Sequence, residues 1–194
     1  MKAVQHLPAG YREIYAIDMN QDKKILIFIN VLAVLIAVVM VVPMNRLVPI
    51  SSLFSMEAGL TNYWLRFLVL TGSLFAYTGL HELVHGITMK AFGTKRVKYG
   101  FTGMCAFAGS NDYYSKGSYI TIALAPVVVF LLVFSALSFL VPREWFWVVY
   151  LLQVSNIAGA SGDIFFTVKF SKMPEDILVR DRGVSMTVYS KREI

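Results

Sequence analysis

Charged residues are scarce in this chain. Only 15% of its 194 residues are Asp, Glu, Lys or Arg, against about 25% in a typical soluble domain. Hydrophobic residues make up 57%. This composition argues against a soluble globular protein and indicates an integral membrane protein. The length suits one domain, so we expect residues 1–194 to form a single integral membrane domain.

Cysteine and histidine are also rare. A single cysteine, Cys105, excludes a framework of disulfides within the chain and a cysteine-rich zinc site. Any bound metal must therefore use histidine and carboxylate ligands, and only three histidines are present. The basic residues flank apolar runs and do not form a patch suited to nucleic acid, so we expect no nucleic-acid partner.

Four apolar runs are long enough to cross a membrane. They comprise residues 25–42, 63–92, 119–141 and 145–170. Each supplies the roughly 20 residues that cross about 30 Å of hydrocarbon, and Pro43 is predicted to end the first. The predicted fold is an all-α membrane protein with four transmembrane helices. It has polar tails at 1–24 and 171–194, and residues 184–189 are expected to form a short strand.

The segment between the second and third runs has a different pattern. Residues 96–112 begin with alternating polar and apolar side chains, which is typical of a strand. Gly100, Gly103 and Gly109 interrupt the segment, and it is too apolar for a free loop. We therefore expect a short β-hairpin or re-entrant segment against the helices, where protein can cover its backbone.

The distribution of basic residues predicts the orientation. All but three of the 18 lysines and arginines lie in the two tails, in the loop after the second run, or at the ends of the runs that adjoin them (Lys90 and Lys169); the exceptions are Arg46, Arg66 and Arg143. The positive-inside rule then places both termini and that loop in the cytoplasm. An even number of spans agrees with this orientation.

The sequence His81-Glu82-Leu83-Val84-His85 lies within the second apolar run. A charged group at the centre of a bilayer costs about 2.5–3.5 kcal/mol on insertion scales, so the neighbours of Glu82 must offset that cost. On a helix, His81 and His85 share a face and can bind one divalent ion, while Glu82 can reach a water that the metal activates. The alternative is a structural polar cluster in which a histidine pairs with Glu82.

Two histidines do not complete a catalytic zinc site, which usually has three protein ligands. Asp163 is the one further carboxylate within the predicted spans, and Gly159 and Gly162 should let the helix bend there. Asp163 is therefore the candidate third ligand; alternatively, it caps a helix start. Asn156, about two turns earlier, could hydrogen-bond to a substrate carbonyl or join two helices.

The order of these motifs resembles that of the intramembrane zinc metalloproteases of the site-2 protease type. Those have His-Glu-x-x-His, then an Ala-Gly-Pro-type motif, then Asn-x-x-Pro…Leu-Asp-Gly on successive helices. This chain has the histidine motif, then Ala123-Leu124-Ala125-Pro126, then Asn156 and Asp163. It is also similar to a family of small bacterial membrane zincin peptidases, in which glycine often follows the motif, as Gly86 does here. The resemblance covers residues 64–170.

Together, these features predict a zinc endopeptidase in a bacterial cytoplasmic membrane. Zn²⁺ would bind His81, His85 and Asp163, Glu82 would transfer protons, and Asn156 would stabilise the attacked carbonyl. The expected partners are the lipid bilayer and a membrane-spanning or membrane-associated peptide substrate; the oligomeric state stays open. Two alternative functions would use the same ligands: that of a membrane metal-binding or transport protein, and that of a catalytically inactive interaction protein. The presence of Glu82 favours catalysis, because metal binding alone does not require it.

Overall fold

A computed structural model describes residues 2–103 and 106–192, so Cys105 lies outside the described residues. The described chain is mostly helical. The helices are α1 (Lys23–Leu47), α2 (Leu60–Ala91), α3 (Lys116–Leu140), α4 (Phe146–Gly159) and α5 (Ser161–Ser171), with 3₁₀ turns at Ile50–Phe54 and Arg143–Trp145. The strands are β1 (Arg12–Asp18), β2 (Lys98–Phe101), β3 (Ala106–Gly109), β4 (Tyr113–Ser115), β5 (Leu178–Asp181) and β6 (Ser185–Ser190).

Three helices among the described residues, α1, α2 and α3, are long and apolar enough to span a membrane. Many large apolar side chains on α1 are exposed, including Val34, Leu35, Val39 and Val42. A contiguous exposed apolar surface of this kind is unusual for a soluble protein, and it hints at a membrane protein.

The predicted fourth span is divided into two helices. The helical conformation ends at Gly159, Ala160 departs from it with φ −83° and ψ 15°, and α5 begins at Ser161. The resulting helices have 14 and 11 residues, and each is too short to cross about 30 Å alone. Four transmembrane helices are therefore not confirmed, whereas the expected interruption near Gly159 and Gly162 is present.

The prediction that Pro43 ends the first helix is wrong. Pro43 lies inside α1, which continues to Leu47. A proline removes one backbone donor and clashes with the preceding turn. Apolar helices tolerate such interruptions because the other backbone groups remain paired and local adjustments satisfy the group that is freed.

The all-α prediction needs correction, because both polar tails contribute to a sheet. Its four strands are antiparallel in the order β1-β6-β5-β4, so the tail strands pair across nearly the whole length of the chain. In β6, Met186, Val188 and Ser190 are buried while the residues between them are partly exposed, as expected for a strand covered on one face. The strand expected at 184–189 is confirmed, and β2 and β3 form the expected hairpin.

The chain divides into two compact units. Unit 1 contains residues 1–29, 80–126 and 162–194, and unit 2 contains residues 30–79 and 127–161. The core of unit 1 joins the sheet to the helical segments through buried side chains that include Tyr114, Ile122, Phe170, Val179 and Val188. Whether the whole chain behaves as one domain stays a prediction.

In unit 2, one buried arginine binds several backbone carbonyls. Arg66 is only 1% exposed. Its guanidinium donates to the carbonyl oxygens of Ser52 at 2.9 Å and Glu144 at 3.3 Å, and also to that of Ser55. Nearby, Leu53, Trp147 and Val148 form a buried apolar cluster. Because arginine offers five donors in a planar fork, one side chain can link the two 3₁₀ turns of this unit.

Replacement of Arg66 should test this linking role. Arg66→Met removes these three part-buried hydrogen bonds, each with a net contribution of about 0.5–1.5 kcal/mol, so we expect the free energy of unfolding to fall by roughly 2–4 kcal/mol. Arg66→Lys should recover only part of the loss, because an ammonium cannot reproduce the planar fork. Denaturant titration in detergent measures both effects. Arg143→Met, at an exposed position, is the control, and an equal loss there would contradict the assignment.

Candidate metal centre

The candidate metal ligands come from two helices of unit 1. His81 and His85 lie one helical turn apart on α2, and their imidazole rings are 4.9 Å apart between centroids. Both residues are buried, at 8% and 7% exposure. Asp163 lies in the first turn of α5. The structure therefore brings together the three residues that the sequence nominated as ligands.

The donor atoms are spaced as a single metal ion requires. Asp163 Oδ2 lies 3.5 Å from His81 Nε2 and 3.7 Å from His85 Nε2, and one donor atom from each residue lies within 4.8 Å of the others. Two ligand atoms at about 2.1 Å from a tetrahedral zinc are about 3.4 Å apart. Two imidazoles and one carboxylate are also a common zinc donor set, so this group fits a zinc ion.

A backbone carbonyl orients one of the histidines. His85 Nδ1 lies 2.9 Å from the carbonyl oxygen of Ile122 on α3. When Nδ1 carries the proton and donates to this carbonyl, Nε2 keeps its lone pair for a metal. Metal-binding histidines generally make such a bond, which fixes both the tautomer and the ring orientation.

The position of Asp163 bears on both interpretations of this residue. It lies close to the start of α5, where the helix dipole favours a carboxylate. Yet Oδ2 faces both imidazole rings, which supports the ligand role. The interruption at Ala160 starts a new helix just before Asp163; its ligand role stays a prediction.

Glu82 lies next to this group and is partly buried. Its carboxylate interacts electrostatically with His81, His85 and Asp163, and the backbone amide of Ala108 in β3 faces it. A carboxylate beside the candidate metal ligands, but outside the three-residue group, is suited to take a proton from a nearby water.

Asn156 has different surroundings. It is fully buried in unit 2, where its Nδ2 donates to the Val127 carbonyl at 3.0 Å and its Oδ1 accepts from the Tyr77 hydroxyl at 3.1 Å. These contacts are those expected of a side chain that joins helices. Asn156 belongs to unit 2, and its catalytic role stays a prediction.

One acidic neighbour of the site, Asp181, is not indicated by any motif in the sequence. Asp181, the last residue of β5, accepts a hydrogen bond from Gly183 N–H at 2.8 Å. Burial raises the pKa of its carboxyl to about 7; the charges of Asp163 and Glu82 raise it further, while Gly183 N–H and His85 oppose the rise. Asp181 lies in a polar tail with no motif, so only the pairing of β5 reveals its location.

Two imidazoles and a carboxylate that could hold a metal, with a glutamate beside them, are the residue types found at hydrolytic zinc sites. Comparison with known protein families agrees with this class. A family described as "Putative zincin peptidase" matches residues 74–178, more than half of the chain, and the chain belongs to that family. Membership suggests a metallopeptidase and implies zinc.

A relative in the archaeon Pyrococcus woesei gives no further functional information. It is described as "Uncharacterized 24.7 kDa protein in gap 5'region" and is 30% identical over 112 residues. The match covers 55% of this chain and 48% of the relative, so this chain spans about half of the relative's length. No solved structure matches the chain.

The metal site predicts a defined stoichiometry. Purified protein should contain about one zinc per chain, and His81→Ala, His85→Ala and Asp163→Ala should each reduce it, because each removes one donor. Elemental analysis after dialysis measures the metal content. His6→Ala, at an exposed tail position, is the control. Parent-like zinc affinity of the Asp163 variant would remove that residue from the ligand set.

The raised pKa of Asp181 predicts how stability depends on pH. The native carboxyl keeps its proton up to about pH 7, whereas the unfolded one releases it near pH 3.8, so this group makes the metal-free protein less stable as pH rises between these values. Asp181→Asn can still accept from Gly183 but cannot ionise. The melting temperature of Asp181→Asn minus that of the parent should therefore be larger at pH 8 than at pH 5.

Asp176, in the same unit, provides a control because its pKa is shifted in the opposite direction. Lys191 N–H and Ser190 Oγ donate to the Asp176 carboxylate and lower its pKa. Asp176→Asn should therefore lose stability mainly at neutral pH, and the difference from the parent should shrink in acid. If Asp181→Asn behaved in the same way, the assigned environment of Asp181 would be wrong.

Proposed function

We propose that this protein is a zinc endopeptidase that hydrolyses peptide bonds in membrane-spanning or membrane-associated peptides. The observation that carries the proposal is the group of His81, His85 and Asp163 with Glu82 beside it. Its two histidines and Glu82 lie on α2, which is long and apolar enough to span a membrane. The resemblance to site-2-type proteases in the order of motifs supports the same conclusion.

The residues of the candidate site have separate roles in metal binding and in proton transfer. His81, His85 and Asp163 would hold the metal, with the His85 ring oriented by the Ile122 carbonyl. A bound zinc ion supplies Lewis-acid activation of water and of the scissile carbonyl. Glu82 takes the proton from the attacking water and passes it to the departing amine.

The hairpin of β2 and β3 offers a place for the substrate. Its strands are paired antiparallel over four residues each, and the Ala108 amide faces Glu82. A peptide bond within a helix is shielded, so a membrane substrate must be extended before cleavage. Addition of the extended segment to a strand edge is a common way of holding such a peptide.

The proposed membrane arrangement has both termini in the cytoplasm and four crossings, the last formed by α4 and α5 in series. The distribution of basic residues supports this orientation. The site would lie near the cytoplasmic side, because Lys90 follows His85 by five residues. Water would then enter from the cytoplasm.

Glu82→Gln distinguishes a peptidase from a protein that only binds metal. Glutamine keeps the size of the side chain but cannot accept the proton, so cleavage should fall by at least about 100-fold while zinc content stays near that of the parent. The substrates are a dye-quenched unfolded casein and a panel of single-span bacterial proteins in detergent. Glu57→Gln, at an exposed position, is the matched control.

The possible outcomes separate the alternatives. Parent-like cleavage by the Glu82 variant would remove this residue from the mechanism. A parent that binds zinc but cleaves nothing across the panel would favour the metal-binding or transport protein, or an inactive interaction protein.

A further inference from the structure

The glycine that follows the histidine motif makes room for an aromatic side chain. Gly86 lies four residues after Glu82 on α2, so the two residues share a helical face. The Tyr99 ring of β2 lies directly over Gly86: a Cβ added there would be 2.6 Å from Tyr99 Cζ and would collide with the hydroxyl oxygen. Any larger residue at position 86 must therefore displace the tyrosine.

The pairing in the hairpin connects Tyr99 to Glu82 by a second route. Tyr99 is the register partner of Ala108, and the Ala108 amide faces the Glu82 carboxylate. One pair of residues in the hairpin thus contacts both positions on this face of α2. Residues i and i+4 of a helix have Cβ positions about 5–6 Å apart, so the Tyr99 hydroxyl lies about one helical turn from the proposed base.

Buried hydrogen bonds fix the open end of the hairpin, where its two strands join the rest of the chain. The Tyr114 hydroxyl lies 2.6 Å from Thr94 Oγ1 and 2.6 Å from Ser110 Oγ, on either side of the hairpin. In addition, Ser110 N–H donates to the Asp181 carbonyl at 2.7 Å. These bonds attach the hairpin to the four-stranded sheet and limit how far Tyr99 can move.

The Tyr99 hydroxyl is not used by the described part of the chain. The residue is 49% exposed, and in residues 2–103 and 106–192 its hydroxyl has no hydrogen-bond partner. A packing role alone needs only the ring, which phenylalanine supplies equally well. A hydroxyl placed beside the proposed base is suited to donate to an oxygen that gains charge during hydrolysis.

We propose that Tyr99 is a further catalytic residue whose hydroxyl donates a hydrogen bond to the oxyanion of the tetrahedral intermediate, with Gly86 providing the space that places it there. This inference rests on the proposed peptidase function. It assigns to Tyr99 the stabilisation of the attacked carbonyl that the sequence analysis gave to Asn156.

Tyr99→Phe tests the hydroxyl without removing the ring. Loss of one oxyanion donor typically lowers kcat by about 100-fold or more, so kcat on the casein substrate should fall by about that factor while KM and zinc content stay unchanged. Tyr189→Phe, at a partly exposed position on β6, is the control and should retain parent kinetics.

Binding of a phosphinic peptide provides a readout separate from turnover. Its phosphinic oxygens imitate the tetrahedral centre, and its sequence is that of a casein peptide that the parent cleaves. Tyr99→Phe should weaken this binding by a factor comparable to the loss in kcat. Binding of the uncleaved peptide, measured in a Glu82→Gln background, should not change, because only the transition state engages the hydroxyl.

Gly86→Ala tests the placement of the ring. The added methyl must move Tyr99, so kcat should fall even though the hydroxyl is still present. Gly79→Ala is the matched control on the same helix, since nothing lies within 4 Å of a Cβ added there. That control should retain activity and be no less stable, because alanine favours the helix.

Different results of these experiments would refute the role of Tyr99 alone or the proposed peptidase function as well. A parent that cleaves casein together with a Tyr99→Phe variant of equal kcat would refute the role of Tyr99 and leave the peptidase intact. A Tyr99→Phe variant whose KM rises and whose zinc content falls by factors comparable to its loss in kcat would also refute this role, because that pattern indicates structural damage. A parent without any cleavage would refute both proposals.

Discussion

The candidate site depends on one carboxylate facing two imidazoles among largely apolar helices. Isolated charges are costly in such surroundings, and Asp163 is stabilised there only if His81 and His85, or a metal shared with them, stay within a few ångströms. This requirement accounts for two features of the backbone. The helical run is interrupted at Ala160, so that α5 starts just before Asp163, and the Ile122 carbonyl holds His85 in one orientation.

A second constraint is how the chain covers the Glu82 face of α2. The segment that lies over the Glu82 face of α2 is a hairpin, whose backbone groups can pair with each other and with the sheet. Tyr114 and Asp181 fix the base of this hairpin through buried hydrogen bonds, and Gly86 lets its tyrosine approach the helix. The sheet thus helps to hold the hairpin over this face of α2, although three of its four strands come from the polar tails.

Asp181 illustrates how several acidic groups share a small space. Its carboxyl is desolvated and lies near the charges of Asp163 and Glu82, which favours its neutral form. A divalent cation on the nearby ligands would reduce that mutual repulsion. The acidic groups and the imidazoles therefore form one electrostatic system, in which the charge of an ion affects residues that do not bind it.

Local sequence patterns were sufficient to predict several features of the fold and of the candidate site. Apolar length predicted the three long helices, spacing of i and i+4 put His81 and His85 on one face, and glycines indicated the interruption before Asp163. Alternation predicted the hairpin, and a short strand was also expected at residues 184–189, where β6 lies. The errors concerned Pro43, which an apolar helix tolerates, and the tails, whose strands pair with partners far away in the chain.

The sequence by itself determined the composition, the histidine motif and the chemical types available for a metal, because these depend on residue identity and on short helical periods. Only the tertiary structure decided that Asp163 meets both histidines, that Asn156 binds Tyr77 and Val127, that Asp181 lies near Glu82, and that Tyr99 lies over Gly86. The physical reason is that these contacts join segments distant in the chain. Strand pairing and helix packing set such distances, and no local period encodes them.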